Sequence, residues 1–274
     1  MTAKVRIDDP EDGINAWQKR RYLLVRTLLK FNMDVIGCQE VTPSQGAFLI
    51  REMKGYSHYP RGKAENNDAA TGLAADIEGT FSGLNTLFYR DERLEFMDGA
   101  NGLILSEELQ DRPSENTFYT LCVFRDRAEM VGNLIVINTH LRHDIRFAER
   151  CAAKLRAIIQ TWQTKYPLAA VIVIGDLNHD KTSRVYAVLT QGGIGKALPG
   201  DLVMLDAFDY RLQGKEAWGN WHEFKGKSRR FLPTDLILYT DRLKAAPAEI
   251  VRDGGTDGVW PSDHFFVWTG MALR

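Results

Sequence analysis

"VIVIGDLNHD", residues 171–180, is the stretch on which the fold turns. Apolar, mostly β-branched residues in unbroken succession describe a buried strand, since a strand wetted on one face would alternate with polar residues. The run stops on Gly175, and two acidic side chains, an Asn and a His follow at once. Gly, Asp and Asn suit a strand-to-helix turn for backbone reasons alone. A turn therefore explains the exit by itself, unless other strand ends carry matching chemistry.

Upstream of this run, Ala148, Cys151, Ala152, Leu155, Ile158, Ile159 and Trp162 recur at three and four, the stripe of an amphipathic helix. Before it come the strand-like runs "NTLFYR", "GLILSE", "FYTLCVF" and "NLIVINTHL", separated by turn residues as in an antiparallel meander. "DVIGCQEV", 34–41, reads as a further strand, and Thr42-Pro43-Ser44-Gln45 opens a helix with Pro in its first turn. Asn15 stands as an N-cap with Gln18 three residues on, and Trp17, Leu24, Leu28 and Phe31 continue a helix of about four turns. Residues 60–82, rich in Gly, Ala, Asn and Asp and without periodicity, read as a long surface loop. On the C-terminal side a short helix near Ser183–Thr190 precedes the strands "DLILYT" and "FFVWTG". No repeat, low-complexity block or linker interrupts the pattern, so residues 1–274 are expected to form one α/β domain of two stacked sheets flanked by helices.

A formal net charge of −1 removes the global positive field on which a non-specific nucleic-acid binder depends. Cys38, Cys122 and Cys151 sit singly in apolar runs, which makes them small core residues rather than a disulfide framework or zinc site. No apolar stretch reaches membrane-spanning length and no signal-like run opens the chain. The expectation is a cytoplasmic monomer, with a secreted or periplasmic location open should a signal peptide have been removed.

Polar residues gather at the strand ends. His140 ends "NLIVINTHL", Asp176 and Asn178 end "VIVIGDLN", and Glu40 ends "DVIGCQEV"; Asp235 stands just before "LILYT", and Asp263-His264 just before "FFVWTG". If the last two strands run antiparallel to the first three, these side chains converge on one edge, where open α/β folds place ligands. Carboxylates, a carboxamide and two imidazoles with no nearby thiol suit Mg²⁺ or Mn²⁺ rather than a closed zinc site. A further Asp then serves to orient or deprotonate water, and the imidazoles to stabilise charge or protonate a leaving oxygen. Hydrolysis of a phosphate ester fits these parts.

In order and separation, "DVIGCQEV", "NTHL", "VIVIGDLN", "TDLILY" and "PSDHFFV" resemble the successive motifs of the endonuclease/exonuclease/phosphatase superfamily, over nearly the whole chain. The resemblance implies a four-layered α/β/β/α sandwich with mostly antiparallel or mixed sheets, and a Mg²⁺-dependent phosphoesterase. It implies that Glu40 binds the metal, Asp176 aligns or activates the attacking water and Asn178 holds a phosphate oxygen. Asp263 supports the metal or orients its neighbour, His264 contacts the scissile phosphate with Asp235 accepting its other ring hydrogen, and His140 stabilises the pentacovalent charge. His222, in "NWHEFKG", resembles a pocket-lining family segment. Two positions depart from the pattern. Lys4 stands where the family carries an Asn, leaving a point charge for phosphate contact, and Phe81–Asn85 lacks the family's carboxylate.

Competing motifs lack their residues. Trp221 replaces the first Gly that a P-loop ending in Gly226-Lys227-Ser228 requires, and neither G-x-S-x-G nor H-E-x-x-H occurs. The expected substrate is a phosphorylated molecule: a small phosphodiester, sugar phosphate, lipid or nucleic acid. A catalytically weakened relative that binds such a ligand is the alternative.

Overall fold

The amphipathic stripes and apolar runs resolve into four layers. The computed structural model describes residues 10–60, 84–105, 117–128, 132–191, 202–210, 218–228, 230–252 and 254–274. Lys4, Phe81–Gly83 and all but the first residue of the 60–82 loop lie outside them. In chain order the elements are α1 (Trp17–Lys30), β1 (Val35–Val41), α2 (Pro43–Glu52), β2 (Tyr56–Tyr59), β3 (Leu84–Arg90), β4 (Leu94–Leu103), β5 (Phe118–Asp126), β6 (Asn133–His140), α3 (Ile145–Lys165), β7 (Ala170–Asp176), α4 (Arg184–Gln191), β8 (Leu205–Asp206), β9 (Asp235–Tyr239), β10 (Leu243–Ala245), β11 (Glu249–Val251), β12 (Phe266–Trp268) and β13 (Met271–Leu273).

One sheet has the order β4-β5-β6-β7-β9-β8, with β6 and β7 parallel and its other neighbours antiparallel. A second has the order β1-β3-β2, while β11 with β12 and β10 with β13 form two-stranded pairs. Period two along each strand sorts the side chains between layers. Val171 and Val173 of β7 pack with Cys151, Leu155 and Ile159 of α3, whereas Ile172 and Ile174 face Val35, Leu87 and Tyr89 of the other sheet. On the far side Ile36, Cys38 and Phe88 lie under Leu24, Leu28, Phe48 and Leu49 of α1 and α2. Each fully buried side chain of this size contributes roughly 1.5–3 kcal/mol. All three cysteines are buried thiols outside any disulfide, and burial pushes the Cys38 and Cys151 thiols up to about 11.

Several local expectations change. Helix α1 is capped by Ala16 without a side-chain bond; Asn15 instead closes a preceding 3₁₀ turn and lends its carbonyl to the Arg20 Nε. Thr42 does cap α2, in a reciprocal box with Gln45. The strand expected at 102–107 lies earlier, at Leu94–Leu103, and β3 belongs to the second sheet rather than to the meander.

Between the sheets, where apolar contact dominates, a polar strut crosses beside Gly37. Asn138 of β6 donates through Nδ2 to the carbonyls of Cys38 (2.9 Å) and Thr86 (3.0 Å), and its Oδ1 accepts from Gln39 Nε2 at 2.6 Å. A Cβ on Gly37 would press on Ile174 and on this amide, so β1 approaches closely because it carries glycine there. The strut fixes how β1 and β3 sit over β6, two residues behind His140.

Candidate active site

Strand register builds the first half of the site. His140 pairs with Asp176 across the parallel β6/β7 ladder, and Asp176 pairs with Asp235 across the antiparallel β7/β9 ladder. Residues directly opposite one another project to the same face, so three adjacent strands present His140, Asp176 and Asp235 as one row. The expectation that β9 runs against β7 holds, and it is what brings Asp235 here.

The exit of β7 is both a turn and a site. Gly175 has φ +141°, and a Cβ there would collide with the Thr139 carbonyl. Asn178 adopts φ +56°, a left-handed conformation that Asn tolerates, and its N–H donates to Asp176 Oδ1 at 2.8 Å. The turn engages Oδ1. Oδ2 lies 3.6 Å from His140 Nε2 and 3.8 Å from His264 Nε2.

Asn178 donates through Nδ2 to the Leu141 carbonyl (2.7 Å) and lies 2.9 Å from His140 Nε2. A nitrogen that accepts there leaves the His140 proton on Nδ1, which lies 3.7 Å from Glu40 Oε1. Asn178 thus orients the His140 ring.

Glu40 reaches the row from the other sheet through a β-bulge. The β1/β3 register shifts between Cys38 and Val41, and Glu40 takes φ +56°, which re-aims its carboxylate. Glu40 Oε2 is buried without a hydrogen-bond partner among the described residues.

His264 donates through Nδ1 to Asp235 Oδ2 at 2.7 Å. Burial works to lower its imidazole, but Asp235, Asp176 and Asp263 outweigh it and raise the group to about 9, so His264 is an imidazolium at neutral pH. Burial likewise works to raise Asp235, yet His264 and Asn220 hold it below the ordinary carboxylate range. Asp263, 4% exposed, is pushed up to about 6 by burial and by the neighbouring charge of Glu40. Arg20, buried in α1, opposes this and donates to the Pro261 carbonyl at 2.9 Å.

His222 lies stacked on Phe265 at 4.0 Å between centroids, and its Nδ1 accepts from the Gly226 N–H at 3.1 Å. Its proton is therefore on Nε2, a buried atom without a partner among the described residues. Burial and then His264 lower this group to about 4, so it is a neutral donor.

Two sets of donors suit a cation. Single ligand atoms of Asp176, Asp235 and His264 lie within 4.8 Å of one another. The hydrogen bond between Asp235 and His264 already occupies part of that set. Glu40 and Asp263 are the other candidates: Glu40 has an orphaned buried oxygen, and the Asp263 anion is destabilised by burial and by the charge of Glu40, which a divalent cation would neutralise. Around the rim, Lys181 Nζ sits 3.5 Å from the Tyr210 ring centroid and Arg230 lies 5.3 Å over Trp221. Arg184 and Lys225 pair with Glu149 and Glu223, as solvated surface charges do.

Sequence reasoning missed Asn220, Arg20 and the Gln39–Asn138 strut. Asn138 alone gave a signal, as a polar residue inside the apolar run "LIVINTH".

A sequence model described as the endonuclease/exonuclease/phosphatase family matches residues 13–264. Among solved structures, an endonuclease/exonuclease/phosphatase from Bacteroides vulgatus is 22% identical with TM-score 0.73, over 100% of this chain and 97% of that one. A mannosyl-6-phosphatase from Bacteroides thetaiotaomicron is 17% identical with TM-score 0.75, over 99% and 98%. The catalytic domain of human Nocturnin, with a bound sulfate, is 18% identical with TM-score 0.69, over 100% and 94%. At these identities the likeness establishes the four-layered fold.

Proposed function

Because the chain belongs to the endonuclease/exonuclease/phosphatase family, whose members act on phosphate esters, we propose that it hydrolyses a phosphoester by in-line attack of water, with Mg²⁺ or Mn²⁺. The observation that carries this reading is Asp176 Oδ2 held between the Nε2 atoms of two histidines, at 3.6 and 3.8 Å. A carboxylate beside a charged N–H donor, the His264 imidazolium, is the arrangement a water and a phosphate need together.

Asp176 orients the water and takes its proton. His264, charged and fixed by Asp235, offers Nε2–H to a phosphate oxygen as negative charge develops. His140, oriented by Asn178 and Glu40, faces the same region from the other side. His222 supplies a neutral N–H for a substrate oxygen, and Lys4, if the chain brings it near, a point charge. Glu40 and Asp263 would hold the cation, which supplies charge neutralisation at the phosphate when bound.

The mannosyl-6-phosphatase makes a sugar phosphate one reasonable substrate class. Lipid, nucleotide and small diester substrates stay in the same screen, and a net charge of −1 weighs against long nucleic acid. The absence of a carboxylate at Phe81–Asn85 favours a second reading, a weakened enzyme that binds such ligands. No helix of the described residues is long and apolar enough to cross a membrane.

The test is hydrolysis of bis-(p-nitrophenyl) phosphate and a phosphomonoester panel, with and without Mg²⁺ or Mn²⁺, by wild type, Asp176→Ala and His264→Ala. A metal-dependent rate lost in both variants is expected. A rate indifferent to metal or to both substitutions would move the protein to the binding reading.

A further inference from the structure

The segment Trp218–His222 belongs to no helix and to no named strand, yet it is pinned from both sides. The Gly219 N–H donates to the Arg230 carbonyl at 2.8 Å, the Phe265 N–H donates to the Asn220 carbonyl at 2.8 Å, and Trp221 forms an antiparallel bridge with His264. Backbone contacts therefore hold Asn220 beside the residue that follows His264.

Its side chain is wholly buried, and each end has a defined task. Oδ1 accepts from the Thr234 N–H at 3.0 Å, which settles which end of the amide is oxygen. Nδ2 then donates to Asp235 Oδ2 at 2.5 Å, the same oxygen that receives the His264 Nδ1–H. The two nitrogens approach to 3.3 Å because they share that acceptor.

We propose that Asn220 is a positioning residue for the reaction: it fixes the rotation of the Asp235 carboxylate and, through it, the direction in which His264 presents Nε2. The physical basis is that the terminal torsion of an Asp is broad and two-fold, so one hydrogen bond to an imidazole leaves it loosely set. A second donor on the same oxygen, anchored by backbone at Thr234, removes that freedom. His264 needs the restraint because its Nε2 must stay near Asp176 Oδ2, on a different strand.

This inference rests on the hydrolytic reading, and the test separates the two. Asn220→Asp keeps the shape and the acceptor but loses the donor; Asn220→Ala loses both. In a protein with a metal-dependent rate, Asn220→Asp should lower kcat by at least about tenfold, within the range that proton-handling groups supply, with KM nearly unchanged. If Asn220 acts through Asp235, Asn220→Ala with Asp235→Asn loses no more than Asp235→Asn alone; losses that multiply would mark a merely structural role and overturn the proposal. Independently of turnover, the proton on His264 Nδ1 gives a downfield NMR resonance, assigned by its loss in His264→Gln. Its disappearance in folded Asn220→Asp supports the proposal even if no substrate is cleaved, in which case only the hydrolytic reading has failed. Its persistence, or wild-type kcat in that variant, overturns it.

Discussion

Asp176 gives one carboxylate oxygen to the Asn178 N–H and turns the other toward two imidazoles. Asp176→Asn retains an oxygen for the turn and loses the proposed base. Its kcat should therefore fall by about a hundredfold or more while its melting temperature stays within a few degrees, checked by kinetics and calorimetry on one preparation. Gly175→Ala should do the reverse to stability. With φ +141° and a backbone carbonyl in the way, it should cost more than about 3 kcal/mol in urea unfolding, because the position is strained for any side chain. His222 carries a pH signature. A group lowered from 6.5 to about 4 binds its proton more readily in the unfolded chain, so stability is complete above about 6.5 and falls as pH drops toward 4. The size is on the order of 3 kcal/mol. Asp263, raised by burial, works in the opposite sense, so the informative quantity is the difference between the wild-type and His222→Asn urea curves across that window; a flat difference counts against the assignment.

At the level of elements, the strut between sheets makes the clearest prediction. Asn138→Leu takes the partner from two buried carbonyls and from the Gln39 amide together, so unfolding free energy should drop by about 2–4 kcal/mol, measured by denaturant titration. Strands β1, β5, β6, β7 and β9 were legible because each is an apolar run bounded by turn residues, and the helix stripes at 17–30 and 145–165 were legible by period. Strand β4 was placed too late because its last seven residues, "MDGANGL", offer little apolar alternation. Strands β2, β10, β11 and β13 have three or four residues each, too few to show a period. In the candidate site, Glu40, His140, Asp176, Asp235 and His264 were readable from where apolar runs begin or end. Asn220 and Arg20 were not, since their partners lie 15 and 241 residues away and nothing local marks them.

For the molecule as a whole, a cation held by Glu40 and the buried Asp263 would link metal binding to folding. Mg²⁺ or Mn²⁺ at about a hundred times its Kd should stabilise the protein by about 2.7 kcal/mol, and EDTA should reverse the rise in Tm. Glu40→Gln and Asp263→Asn should each abolish that response without lowering the Tm of the metal-free protein, because each removes one of two mutually repelling charges. A response surviving in both variants would assign the cation to other donors.

Glu40 rides on the three-stranded sheet, while its imidazole neighbour His140 rides on the six-stranded one. Sliding of one layer over the other is the motion that would part them, and the Gln39–Asn138 contact acts as a dowel against that shear. Under the hydrolytic reading, turnover would therefore gauge layer alignment, and a lesion at the dowel should blunt it without touching Glu40, His140, Asp176 or His264.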